Sequence, residues 1–319
     1  MAFRRRSWLP PLTLAMALLS CLATTAVGKR TGELTVSWGR NKDDGTLREA
    51  CDTGLYNTVA ISFYSVLGHD RYGVELSGHN LDDVGADITH CQSKGVLVLL
   101  SIGGGGGSGN DESLPSTASA SDVADHLWNA HLGGGRNGVL RPFGDAVVDG
   151  VDFYVDQGAP EYYEELARRL DGYNINAAGN RKRVRLTATP RCMFPDRSLE
   201  PALQTGLFER IHVRFYGDDG CSYKNGVVDR WEKWTARYPG SQLYLGLAAA
   251  ESGVPEGARP PVEVYLKYLY YNLLPMVQKA PNYGGVMVWD RFTDKKTGYS
   301  RAVKGWASCS YAGCVFNPT

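Results

Sequence analysis

The chain has 319 residues, with 34 Lys and Arg balanced by 34 Asp and Glu and a hydrophobic share of 43%. That length suits one large α/β domain or two small ones, and the composition fits neither a disordered chain nor a membrane protein. A charge balance of this kind gives no electrostatic reason to expect nucleic acid or an anionic membrane as the partner.

The N-terminus reads as a secretory signal peptide, residues 1–28. Arg4, Arg5 and Arg6 form a basic start, a short apolar run follows, and the small residues Ala26 and Gly28 offer a cleavage point. The run is interrupted and shorter than the ~20 residues a membrane span needs. Its removal takes away three arginines and no acid, leaving 31 basic residues against 34 acidic ones. Cys21 leaves with it, and six cysteines remain: Cys51, Cys91, Cys192, Cys221, Cys309 and Cys314. An even number in a secreted chain predicts disulfides, whose pairing spacing alone does not give. Cys309 and Cys314 are close enough in the tail to form a small loop. No CxxC with a following His appears and the six histidines lack ligand spacing, so no metal and no cofactor is expected. The one Asn-x-Thr, Asn317-Pro318-Thr319, is disabled by its proline.

Eight short aliphatic or β-branched runs follow, at residues 32–39, 56–66, 95–104, 147–156, 183–190, 210–217, 242–250 and 283–290. Helical segments separate several of them, at 119–132, 160–174 and 261–280. Ser119 or Ser121 is placed to cap the first, and Glu161, Glu164 and Glu165 suit the start of the second. Alternating strands and helices predict a parallel sheet, buried on both faces where the runs are continuously apolar. Eight units over 29–319 predict a single-domain α/β fold, the (β/α)8 TIM barrel. A miscount by one unit would admit a doubly wound sheet.

In such a barrel, chemistry sits at the C-terminal ends of the strands. There the sequence offers Trp38, Tyr64, the Ser101–Gly104 turn, Asp152, Tyr154, Asp156, Met193, Tyr216, Trp289 and Asp290. Aromatic rings at several rims suggest a carbohydrate groove, with Trp38, Tyr216 and Trp289 as candidate platforms. The glycine runs "GGGGGSGN" (103–110) and "LGGGRNG" (132–138) lack the Gly-Lys-Ser/Thr ending of a nucleotide loop.

"LVLLSIGGG" followed some fifty residues later by "VDGVDFYVDQG" resembles the paired signatures of glycoside hydrolase family 18, and of its plant class III chitinases in particular. The likeness continues through "LTATPRCMFPD", "GLFERIHVRFY" and "YGGVMVWDRF", and so covers nearly the whole mature chain. Within the family, "SWGRNKDDGTLREACDTGLY" and "RPFGDAVVDGVDFYVDQGAP" are similar to the cereal xylanase inhibitor proteins. The resemblance implies a catalytic strand Asp-Gly-x-Asp-x-Asp-x-Glu. Its final Glu protonates the glycosidic oxygen, and the preceding Asp orients the substrate's own N-acetyl group for attack. Asp149 and Asp152 match that pattern, and Tyr216 matches a tyrosine that helps hold the acetamide. Tyr154 stands for the orienting Asp and Asp156 for the acid. Tyrosine, with a reference pKa of about 10, offers no carboxylate at neutral pH, and Asp is one methylene too short. The expectation is a degenerate site without enzyme activity.

The resemblance instead implies a secreted, apoplastic plant-defence protein, a monomer, whose partners are microbial endo-xylanases of families 10 and 11. A chitin-like glycan bound without cleavage, or very weak chitinase action, is the alternative. In the subgroup a loop before the fifth strand carries a cation into the family 11 cleft. Here that stretch is "NINAAGNRKRVRL" (174–186), with Asn176 about where the subgroup has its Arg and Arg181, Lys182 and Arg183 further on. A second contact, to family 10 enzymes, would involve Arg259 or Lys267. The family likeness also implies the pairs Cys51–Cys91 and Cys192–Cys221.

Overall fold

The computed structural model describes residues 32–66, 72–104, 113–156, 159–175, 182–217, 219–221, 226–250 and 266–307. The signal peptide, Asn176, Arg181, Arg259 and the Cys309–Cys314 pair lie outside these residues.

Each of the eight apolar runs forms a strand. They are β1 (Glu33–Trp38), β2 (Thr58–Val66), β4 (Leu97–Gly103), β5 (Gly150–Tyr154), β6 (Arg185–Ala188), β7 (Arg210–Arg214), β8 (Gln242–Ala248) and β9 (Tyr283–Trp289). Neighbours are parallel throughout, and β1 pairs with both β2 and β9, so the sheet closes into a ring of eight. Closure removes the free edges a doubly wound sheet would keep. The sequence did not signal β3 (Gly73–Val74), a two-residue strand that pairs antiparallel with the end of β2.

The helices wrap this ring with one apolar stripe inward. In α3 (Thr117–Ala130) the stripe is Ala120, Val123, Ala124 and Leu127; in α4 (Tyr163–Ile175) it is Tyr163, Leu166, Ala167 and Leu170. Both follow the i, i+3, i+4, i+7 spacing that puts residues on one helical face. The cap of α3 differs from the sequence expectation. Ser116, not Ser119 or Ser121, has the extended backbone of a cap, and its Oγ accepts from the Ser119 amide at 3.1 Å. Ser119 and Ser121 are already inside the helix, where their backbone cannot take the cap conformation. Of the acids assigned to the next helix, Glu164 and Glu165 fall in the first turn of α4 and Glu161 precedes it.

Further helices are α1 (Leu47–Asp52), α2 (Leu81–Ser93), α5 (Glu200–Leu203) and α6 (Val227–Arg237). A π-helical turn (Leu269–Leu273) leads into α7 (Leu274–Val277), and α8 (Arg291–Thr297) and α9 (Tyr299–Ala307) complete the set. Cys51–Cys91 ties α1 to α2, and Cys192–Cys221 ties the loop after β6 to the 3₁₀ turn after β7. Among the described residues no helix is long and apolar enough to cross a membrane.

The loop between α3 and β5 gathers several of its carbonyls around one side chain. The Arg141 guanidinium donates to the carbonyls of Asn129, Leu132, Gly134, Gly144 and Ala146. Bonds to a charged group are worth about 1.5–3 kcal/mol. Arg141→Leu should therefore cost about 2–3 kcal/mol in urea unfolding, and an unchanged midpoint would mean the loop holds itself.

Candidate functional site

Strand alternation sorts β5 into two sets. Val151, Phe153 and Val155 face the helices, with Phe153 edge-on to Tyr163 and Phe208, while Asp152, Tyr154 and Asp156 face the barrel axis and its mouth. Just before β5, Asp149 sits at the opposite end of the barrel. Its Oδ2 accepts from the Val98 amide at 2.8 Å and from Gln92 Nε2 at 3.0 Å, and its Oδ1 pairs with Lys182 Nζ at 2.6 Å.

Asp152 is 1% exposed, well inside the barrel. It accepts from Ser101 Oγ at 2.9 Å, Thr187 Oγ1 at 2.6 Å and Thr189 Oγ1 at 2.9 Å, with His212 Nδ1 at 3.5 Å. Burial works against its charge, but the bonds from His212, Thr187 and Ser101 outweigh burial and hold its pKa below the usual carboxylate value. His212 continues the chain of contacts to Thr35 Oγ1 at 3.3 Å. This network joins five strands of the ring and is a scaffold beneath the mouth.

The mouth itself is organised by a residue that the sequence reading passed over. Arg214, at the end of β7, is 4% exposed, and its two terminal nitrogens grip Asp156: Nη1 lies 3.1 Å from Oδ2 and Nη2 bonds Oδ1. Its Cζ stands 3.9 Å above the centre of the Tyr154 ring. Arg191, on the loop after β6, adds a second guanidinium with Nε 3.4 Å from Asp156 Oδ1. Burial alone would raise the Asp156 pKa. The hydrogen bonds and charge of Arg214, with the charge of Arg191, reverse the balance and hold it below the carboxylate norm. The signal for Arg214 was present in "RIHVRFY", where Arg210, His212, Arg214 and Tyr216 alternate with Ile211, Val213 and Phe215. An alternating strand in a barrel points its polar set inward.

Among the described residues, a cluster of aromatic rings lies beside this ion pair. Trp289 lies 5.5 Å from Tyr154, 6.0 Å from Tyr216 and 6.1 Å from Phe63, measured between centroids. Phe63 is in turn 4.9 Å from Tyr154. Gly104, at φ +65°, makes room for Phe63: a Cβ there would lie 2.4 Å from the ring. Tyr154 and Tyr216 are each 7% exposed, and the Tyr216 hydroxyl lies 3.6 Å from Met287 Sδ. Burial raises the pKa of both tyrosines, so both rings stay neutral.

Of the three predicted platforms, only Trp289 keeps partial exposure. Trp38 is 1% exposed, with Nε1 donating to the Gly45 carbonyl and its ring 4.5 Å from His79, so it offers no face to a sugar. The structure corrects that assignment: the end of β1 is covered by the segment around Gly45. Tyr64 is likewise fully buried, whereas Met193 is 48% exposed. Of the expected xylanase-contact residues, Lys182, Arg183 and Lys267 are among the described ones. Lys182 is tied to Asp149 and is not a free loop cation, Arg183 is exposed beside it, and Lys267 is exposed on the helical turn before Leu269–Leu273. Among the described residues no group of three or more His, Cys, Asp or Glu could hold a metal.

The pattern for glycosyl hydrolases family 18 matches residues 35–256. The chain belongs to that family. Xylanase inhibitor protein 1 of Oryza sativa subsp. japonica is 60% identical over 311 residues, which cover 96% of this chain and 99% of that protein. An acidic endochitinase of Cicer arietinum is 40% identical over 283 residues, 85% of this chain and 91% of its own. The crystal structure of a xylanase-alpha-amylase inhibitor protein in complex with trehalose superimposes with a TM-score of 0.76 at 33% identity, covering 86% of this chain and 98% of that one. Family 18 thus supplies both inhibitors and hydrolases as relatives, and the chemistry of the mouth has to separate them.

Proposed function

We propose that this chain is a secreted, catalytically silent member of family 18 that inhibits microbial endo-1,4-β-xylanases. The observation that carries the silent half is the grip of Arg214 on Asp156. A general acid must hold a proton near the working pH, so its pKa is normally raised; a carboxylate paired with a buried guanidinium is held ionised instead. Tyr154 fills the adjacent position and leaves no carboxylate to orient an acetamide. The inhibitor half is supported by the 60% likeness, over nearly the full length of both chains, to a protein named as a xylanase inhibitor.

The surface that meets the xylanase is proposed outside the mouth, on the 174–186 segment, with Arg259 and Lys267 as candidates for a second enzyme class. Retaining xylanases hold two carboxylates about 5–5.5 Å apart, a target that an inserted guanidinium matches by charge-assisted bonds. Because Lys182 is committed to Asp149, Arg181 and Arg183 are the better candidates. Purified protein at micromolar concentration should inhibit a family 10 or a family 11 xylanase and leave chitin intact. Replacing Arg181 and Arg183 together by Ala should weaken family 11 inhibition at least tenfold, about 1.4 kcal/mol, without moving the melting temperature. The partly exposed Trp289 ring, stacked at 21° on Tyr216, favours a second reading as a glycan-binding protein. Retention on chitin with neither xylanase inhibited would select that reading and remove the first.

A further inference from the structure

Buried polar groups nearly always have hydrogen-bond partners, so a histidine without any calls for a role. His131 follows α3, is 1% exposed, and neither of its ring nitrogens has a hydrogen-bond partner. Its ring is packed among aromatics: Phe143 at 5.2 Å, Tyr64 edge-on at 5.8 Å and His126 at 6.1 Å. Its backbone is equally committed. The His131 amide donates to Leu127 at the end of α3, and its carbonyl accepts from Val148, two residues before β5. The residue therefore links the last turn of α3 to the strand that carries Tyr154 and Asp156.

We propose that His131 is an acid-sensitive latch: neutral, it packs as an aromatic ring and holds the α3–β5 connection closed; protonated, it cannot stay in its pocket and that connection opens. An imidazolium carries two N–H donors, and the pocket supplies no acceptor for either. The charged groups around it do not compensate. From the connecting loop comes the Arg141 guanidinium, already spent on five carbonyls, and Arg136 of the same loop is paired with Asp125. From α3 comes His126, which bonds the Tyr64 hydroxyl of β2 at 3.0 Å and stacks at 3.7 Å on Tyr72, the residue before β3. The α3 carboxylates Asp122 and Asp125 are engaged by Tyr72 and Arg136.

The direction of the titration agrees with this geometry. Burial, the nearby His126 and the charge of Arg141 all push the His131 pKa down, to about 3 from an ordinary 6.5. A histidine depressed in the folded state binds its proton in the unfolded one. Its contribution to stability is complete above pH 6.5 and is lost as the pH falls from there towards 3. Between pH 7 and pH 5 the folding equilibrium should weaken roughly 25-fold on this account alone.

The test compares wild type with His131→Phe, whose ring fits the same aromatic surroundings and cannot take a proton. Denaturant unfolding at pH 7 and pH 5 should show the roughly 25-fold loss in wild type and little of it in His131→Phe. Hydrogen exchange at pH 5, corrected for intrinsic rates, should show faster exchange over residues 127–148 in wild type than in the variant. Equal pH dependence in the two proteins overturns the proposal. Should His131→Phe fail to fold, the imidazole resonances of the wild type decide. A His131 signal that stays neutral down to the pH at which residues 127–148 open supports the latch, and one that titrates near 6.5 in the folded protein removes it.

Discussion

Tyr154→Asp combined with Asp156→Glu leaves chitin uncut, and adding Arg214→Gln to that pair brings cleavage back. The double change restores the two residue types that the family's chemistry uses, yet a Glu at position 156 meets the same buried guanidinium that now holds Asp156. It would be ionised at working pH, a base where an acid is required. Gln at 214 keeps a polar side chain in the strand's inward set and removes the charge. Arg191, whose side chain is 46% exposed, is screened by solvent and holds the carboxylate less firmly. General acid catalysis is worth about 10²–10⁴-fold, so the triple variant should exceed the double by at least about 10²-fold on a chitin oligosaccharide. Cleavage by the double variant would show that Arg214 is not the block. A silent triple variant would place the block in the ring cluster of Phe63, Tyr216 and Trp289.

The same ion pair gives the largest stability effect. Asp156→Asn strands the Arg214 guanidinium, 4% exposed and with Nε already lacking a hydrogen-bond partner. Removing one member of a buried pair typically costs about 3–5 kcal/mol, because the remaining charge stays desolvated. Exchanging both partners for apolar residues of similar volume is often neutral. Asp156→Asn should therefore lower stability by about 3–5 kcal/mol, and Asp156→Leu with Arg214→Met should recover most of the loss. If the double variant is as unstable as the single one, packing over Tyr154 rather than the charge pair holds the mouth together. The pH signs are separable. A depressed Asp156 contributes stability above the ordinary carboxylate value of 3.8 and loses it only below, whereas the His131 loss begins at 6.5.

Much of the molecule could be read along the chain because the relevant signals are local. A run such as "GVLVLLSIGG" declares a strand buried on both faces, and eight of them spaced by helical stretches declare a barrel. The expectation of an altered catalytic strand could be formed from the sequence too, since the family resemblance implies Asp and Glu at the positions of Tyr154 and Asp156. The cap of α3 was missed because three serines, Ser116, Ser119 and Ser121, satisfy the same preference. Trp38 was misplaced because a strand end carrying tryptophan looks the same whether a loop covers it or leaves it open.

What the sequence determined by itself is the set of eight buried strands, which rests on periodicity, and the likeness to family 18, which rests on residue identity in its motifs. Closure of those strands into a ring was decided by the pairing of β1 with both β2 and β9. What only the tertiary structure decided is how the charged groups pair. Asp156 and Arg214 are 58 residues apart in the chain and meet because β5 and β7 both end at one mouth, with β6 between them. Lys182 looked free until the barrel brought it against Asp149. Charge is written in the sequence, but whether a charge is paired, buried or exposed depends on distances that folding alone sets.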